Sequence, residues 1–97
     1  LITAEGRLDT QTAHGKAPAL AARRARQYGV PAIAISGAID LTAQTLLQKE
    51  FSAYFSLCPG PTSAHQAIHH AAAYLETATE QVVRCFLAGR HGIIIDN

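Results

Sequence analysis

The sequence contains no methionine and no tryptophan, and its aromatic side chains are three tyrosines and three phenylalanines. Its core must therefore be built from aliphatic side chains and alanine, which favours helices lying close on a sheet. Charge is sparse as well: eight Lys or Arg against seven Asp or Glu leave a formal net charge of +1. So balanced a chain lacks the electrostatic footprint of a nucleic-acid binder or of a protein held on an acidic membrane. No apolar run approaches bilayer-spanning length and no signal peptide is visible, so neither nucleic acid nor membrane is expected as a partner. The two cysteines, Cys58 and Cys85, fit no zinc spacing and are too few for a disulfide framework. They read as free, mostly buried thiols of a reducing cytoplasm. There is no internal repeat and no low-complexity segment. The 97 residues allow one small domain at most, with marginal stability of its own. The chain starts at Leu1, without methionine and already in a strand, and reads as a piece of a longer or processed protein.

What is present is an alternation of strand and helix signals. Leu1-Ile2-Thr3 reads as the end of a buried strand, followed by a polar, glycine-punctuated loop from about Ala4 to Lys16. Pro18 sits in a first helical turn, where its missing donor is tolerated. Leu20, Ala21, Ala22, Ala25 and Tyr28 form that helix's apolar face, with Arg23, Arg24, Arg26 and Gln27 on its wet side. Gly29 is placed to cap it and Pro31 to stop it. Pro31 to Ser36 is a short apolar run ending at Gly37, a strand buried on both faces. A weaker helical pattern spans Ile39 to Lys49, Ala53 to Leu57 reads as a third strand, and Cys58 to Thr62 as a loop. Ser63 and Gln66 then make a capping box for one long helix. Its apolar stripe runs through Ala64, Ala67, Ile68, Ala71, Ala72, Leu75, Ala78, Thr79, Val82, Val83 and Phe86, and Gly89 closes it. Ile93-Ile94-Ile95 is a further short strand or a sticky tail. The order predicts an α/β fold: a small three-layer unit with a short parallel sheet of about three or four strands and helical crossovers.

The long polar loop carries the chemistry. Within a dozen positions it holds carboxylates at Glu5 and Asp9, cations at Arg7 and Lys16, an amide at Gln11, and hydroxyls at Thr10 and Thr12. It leaves the carboxyl end of a parallel strand, where open α/β sheets place ligands, and feeds a helix N-terminus that favours an anion. Gly6 and Gly15 allow close backbone approach or positive φ. Such a set suits phosphoryl transfer: cations neutralise phosphate oxygens, and a carboxylate holds magnesium or accepts a hydroxyl proton. The bland alternative is a merely solvated loop. It is not a Walker A loop, because Gly15-Lys16 is followed by alanine and no glycine stands at position 10.

The run Ile-Thr-Ala-Glu-Gly-Arg-Leu-Asp-Thr-Gln-Thr-Ala-His-Gly-Lys-Ala-Pro resembles the signature of type I glycerate kinases, Thr-Gly-Glu-Gly-Arg-x-Asp-x-Gln-Ser/Thr-x-x-Gly-Lys-x-Pro. The likeness continues into Tyr28-Gly29-Val30-Pro31 and the strand ending Ser36-Gly37, then more loosely through Phe55-Ser56 and the last helix. It implies an ATP-dependent, magnesium-using kinase of D-glycerate that gives a phosphoglycerate, works in a cleft between two α/β domains, and has these 97 residues as the C-terminal part of one of them. Carried over residue by residue, Asp9 and Lys16 are the candidate catalytic pair, as base or magnesium ligand and as phosphate clamp. Glu5, Gly6, Arg7, Gln11 and Gly15 are the candidate substrate-binding residues, with Arg7 on a carboxylate or phosphate. No purely protein-held metal site is expected.

Two departures qualify the likeness. Ala4 replaces a usual glycine, and if that position needs positive φ the alanine costs on the order of 1 kcal/mol. The resemblance also implies a second domain that these residues do not include, so turnover by this chain alone is not expected. A non-catalytic remnant, a small binding module joined to another chain, and a nucleotide-binding domain with a different reaction stay open as alternatives.

Other features read as structure. His65 and His69 have the i, i+4 spacing of a zinc pair, with His70 adjacent, but no cysteine or carboxylate falls at a third position, which favours a solvated face. Arg23, Arg24 and Arg26, without interleaved aromatics, read as surface charge. Cys85 sits beside the apolar stripe, near the core. Ser36-Gly37 ends a strand at the edge that carries the loop, where it could support a ligand. Missing neighbour strands would leave open sheet edges, so self-association is expected.

Overall fold

Short aliphatic runs alternating with alanine-rich helices bury both only when the helices lie on a sheet. The computed structural model, which describes residues 1–90, has that form. Strands β1 (Ile2–Leu8), β2 (Ile33–Ile39) and β3 (Ala53–Ser56) make one parallel sheet in the order β1-β2-β3. The helices α1 (Thr10–Ala13) and α2 (Ala17–Gln27) join β1 to β2, and a 3₁₀ turn (Leu41–Ala43) with α3 (Gln44–Glu50) joins β2 to β3. Two further helices, α4 (Ala64–His69) and α5 (Ala71–Arg90), follow β3. No described helix is long and apolar enough to cross a membrane.

The register explains which face is the core. Thr3, Ala34 and Tyr54 pair across the sheet, as do Ala4, Ile35 and Phe55, so alternate residues face opposite sides. On one side Ala34 and Tyr54 meet Ala22 of α2 and Leu47 of α3, in a cluster that includes Leu8, Ala32, Ala43 and Phe51. On the other side α5 runs past β1 and β2 with Val82, Val83 and Phe86 near Ile2 and Ile33. No residue of α4 or α5 is fully buried, so this second layer is loosely applied.

Several boundaries differ from the sequence reading. Strand β1 does not stop at Thr3 but continues through Glu5, Gly6 and Arg7 to Leu8, because β2 also runs on through Gly37 to Ile39 and supplies the pairing partners. Ile39 thus ends a strand rather than opening a helix. In α2, Pro18 stands in the first turn and Gly29 follows the helix at φ +69, as the sequence implies. Its buried edge, however, is Pro18, Ala19 and Ala22, while Leu20 and Tyr28 are exposed and Tyr28 lies under the Arg24 guanidinium. Ser63 accepts from the Gln66 amide, but the last helix breaks at His70, where neither glycine nor proline warns of it. Gly89 lies inside α5 and does not close it. Cys85 is exposed and Cys58 half-buried, because the flank of α5 that carries Cys85 faces away from the sheet. Ile93-Ile94-Ile95 lies outside the described residues.

Candidate functional site at the carboxyl ends of the strands

The segment from Glu5 to Lys16 is three local structures rather than one loop: the last turn of a strand, a single helical turn, and the entry to α2. Asp9 is where strand becomes helix. Its backbone is extended, and its Oδ1 accepts from the Thr12 amide at 3.1 Å while the Asp9 amide donates to Thr12 Oγ1 at 3.2 Å. This reciprocal capping box satisfies donors that a helix start otherwise leaves open. Thr12 is wholly buried, its hydroxyl 3.3 Å from both Asp9 Oδ1 and the Arg7 carbonyl. Asp-x-x-Thr is a legible capping signal, and the sequence reading misses it because it counts the Thr12 hydroxyl among the loop's groups available for chemistry.

The cap sets the charge of Asp9. Hydrogen bonding from the Thr12 amide, helped by the nearby Lys16 cation and the Thr12 hydroxyl, holds its carboxyl below the ordinary value of 3.8 despite partial burial. It is an anion at neutral pH with a weak appetite for protons. Its outer oxygen, Oδ2, faces Arg7 Nε at 3.6 Å.

A second carboxylate stands at the end of the neighbouring strand. The Asp40 amide donates to the Leu8 carbonyl at 2.8 Å, which ties the ends of β1 and β2 together. Asp40 Oδ1 takes the Thr42 hydroxyl at 2.6 Å and the Thr42 amide at 2.9 Å. Those bonds, with a smaller contribution from Arg7, hold its carboxyl below 3.8 as well. Arg7 is thus flanked by two anions at the carboxyl edge. Asp40 carries no motif, and only the pairing of β1 with β2 brings it here.

Past α1, Gly15 turns the chain at φ +116, a conformation that side-chain-bearing residues rarely take. Lys16 is the N-cap of α2, and among the described residues its ammonium takes part in no ion pair. The Ala19 and Leu20 amides both turn back to the Lys16 carbonyl and Pro18 has no N–H, which leaves Ala17 as the free donor of this first turn. An anion here would depend more on Lys16 than on the helix end.

The structure therefore brings Arg7, Asp9 and Lys16 into one electrostatic neighbourhood. Gln11 is exposed on α1, and Glu5 lies further back along β1, half-buried opposite Ser36. Gly6 has an ordinary φ; the glycine requirement falls on Gly37, where a Cβ would meet the Gly6 carbonyl at 3.1 Å. Ala4 has no positive φ, so the strain expected of it does not arise. Ser36 is fully buried with its hydroxyl on the Ala38 carbonyl at 2.6 Å, and is not free to meet a ligand. Arg23 and Arg26 are more than surface charge. Arg23 forks onto Glu50 at 2.9 and 3.0 Å and donates to the Ala13 carbonyl, and Arg26 donates to the Lys49 carbonyl. They lock α2 to α3 and hold the end of α1. Among the described residues no three His, Cys, Asp or Glu side chains are grouped to hold a metal, His65 and His69 included.

The family model for the glycerate kinase family matches residues 1–87. The chain belongs to the glycerate kinase family. It is 40% identical over 82 residues to a glycerate kinase of Bacillus subtilis (strain 168), covering 84% of this chain and 22% of that protein. A glycerate kinase of Halalkalibacterium halodurans is 39% identical over the same shares of both chains. A glycerate 2-kinase of Escherichia coli (strain K12) is 39% identical over 57 residues, 59% of this chain and 15% of that protein. The chain thus spans about a fifth of the length of the first two relatives. No solved structure matches it significantly. Residues 1–87 include every residue of the capped strand end and the α2 entry, so the family likeness and the local geometry fall on the same place.

Proposed function

We propose that the chain carries one wall of a glycerate kinase site, for ATP-dependent phosphoryl transfer to D-glycerate. The observation that carries this reading is the convergence of Arg7, an ionised Asp9 and an uncommitted Lys16 at the carboxyl end of β1. Phosphoryl transfer asks for positioning and charge neutralisation more than covalent chemistry. Lys16 serves as a compact cation for a phosphate oxygen, and Arg7 as a fork for the glycerate carboxylate or a phosphate. Gly15 shapes the approach, and Glu5, Gly6 and Gln11 line the binding surface.

The two roles open to Asp9 separate on its charge. Hydrogen bonds to its anionic form make it a poor base at neutral pH and suit it to hold a cation. Magnesium usually takes one or two carboxylates and fills the rest of its shell with phosphate oxygens and water, so Asp9 Oδ2, which the cap does not use and Arg7 Nε approaches at 3.6 Å, is the oxygen that would take it. When bound, the ion would neutralise phosphate charge; the chain's part is to keep Asp9 ionised and aimed through Thr12.

A cytoplasmic setting goes with this reading, and so does catalytic incompleteness. The remaining wall and the second domain come from polypeptide outside these 97 residues, which we place in the C-terminal part of the enzyme. The isolated chain is expected to give no ATP-dependent phosphorylation of glycerate. In a full-length enzyme carrying this segment, Asp9→Asn should lower kcat at least roughly a hundredfold, as loss of one key electrostatic group does. Near-normal turnover of that variant would remove Asp9 from the mechanism.

A further inference from the structure

The clamp between α2 and α3 has a third arm, and it reaches the charged edge. Arg23 Nε donates to Glu50 Oε2 at 3.0 Å and Nη2 to Oε1 at 2.9 Å, while Nη2 also donates to the Ala13 carbonyl at 2.9 Å. The fork on Glu50, whose side chain is 15% exposed, fixes the plane of the guanidinium and so the direction of the second Nη2 hydrogen. That hydrogen is aimed at the last residue of α1. Ala13 is buried, and among the described residues no backbone amide donates to its carbonyl. A helix of one turn has little stability of its own, so α1 depends on what holds its two ends. The Asp9–Thr12 box holds the first and Arg23 the second.

Only His14 and Gly15 separate Ala13 from Lys16. His14 is exposed and a Cβ at Gly15 would meet nothing within 4 Å, so packing does not fix the course of this turn. Its ends do: Ala13 on one side and Ala17, the start of α2, on the other. Arg23 belongs to α2, so its bond to Ala13 ties the two ends together across the turn. We infer that Arg23, braced by Glu50, is a positioning residue for Lys16: by holding the Ala13 carbonyl against α2 it sets where the turn delivers the ammonium. The inference rests on the phosphate role of Lys16 proposed above. Arg26 supplies the contrast within the same clamp. It approaches Glu50 at 3.8 Å, and its hydrogen bonds go to the Lys49 and Glu50 carbonyls of α3, none to α1. A role confined to stability would make the two arginines alike; a positioning role makes them differ.

The test is steady-state kinetics and thermal unfolding of a full-length enzyme carrying this segment. Arg23→Lys keeps a charge for Glu50, but one ammonium does not fork a carboxylate and hold a carbonyl in that fixed geometry. It should raise KM for ATP roughly fivefold or more. Lys16→Ala should raise the same KM at least about tenfold, and adding Arg23→Lys to it should change KM no further, because the positioned group is gone. Glu50→Gln, which loosens the fork but leaves Arg23 in place, should raise KM by a smaller factor, about threefold. Arg26→Ala should lower the unfolding midpoint and leave KM for ATP unchanged. An equal rise in KM for Arg23→Lys and Arg26→Ala makes the clamp a fold support only and overturns the inference. So does an Arg23→Lys effect that persists in full without Lys16. A KM unmoved by Arg23→Lys and Glu50→Gln, where Lys16→Ala raises it, overturns the inference while the phosphate reading stands. A Lys16→Ala enzyme with a normal KM for ATP overturns both.

Discussion

Gly6 and Gly37 are neighbours across the sheet, and glycine matters at only one of them. A Cβ at Gly37 would press on the Gly6 carbonyl at 3.1 Å, whereas one at Gly6 would meet nothing within 4 Å. Gly37→Ala should therefore cost about 1 kcal/mol, and Gly6→Ala should be near neutral or slightly stabilising, as read from urea denaturation midpoints. Equal midpoints for the two variants would show that β1 and β2 separate freely at this point. Gly6 is the glycine that the signature displays, so sequence reading gave it the special backbone. Which glycine is crowded depends on the distance between two strands, and a linear pattern does not contain it. Asp9 shows the opposite case. Its importance was legible from the motif, and the structure added the cap that fixes its charge.

At the scale of elements, the clamp of Arg23 and Arg26 on Glu50 joins α2 to α3. The hydrogen bond from Arg23, reinforced by both cations, holds the Glu50 carboxyl below its ordinary value of 4.5 against the opposing effect of burial. Asp9 and Asp40 are lowered too. Groups lowered on folding stabilise fully above their unfolded values and lose that contribution as pH falls through the lower folded values. Stability should therefore be flat above about pH 5 and decline progressively below about pH 4. Glu50→Gln should cost roughly 1 kcal/mol at neutral pH, discounted for solvent screening of the exposed Arg23, and should make that acid decline shallower. Thermal unfolding at stepped pH measures both, and an unchanged acid limb would mean that the clamp contributes nothing. Element types were mostly legible because Pro18, Gly29 and Ser63 punctuate the chain where helices begin and end. The end of β1 was not, because a strand persists while a neighbour pairs with it, whatever the polarity of its own residues.

For the molecule as a whole, the two faces of the sheet are unequal. The face toward α2 and α3 holds the dry cluster around Leu8 and Leu47, while the other leaves Ile2, Val83, Phe86 and Leu87 40–54% exposed. Strand β1 also has β2 as its one partner in the described sheet, so its outer edge carries open backbone groups. Concentration-dependent association is expected in light scattering after gel filtration, and Phe86→Lys should shift it toward monomer. A parent chain that stays monomeric at high concentration would contradict this. The sequence alone determined the alternation of strands and helices, the family, and the segment where chemistry belongs, because periodicity, punctuation and an ordered motif are local properties of the chain. Tertiary structure alone decided that Asp40 joins Arg7 and Asp9, that Ser36 is sealed, that Arg23 clamps Glu50, and that α5 stands off the sheet over a groove. Each of these depends on which distant residues the strand register and helix packing bring within a few ångströms, and that is settled only when the sheet forms.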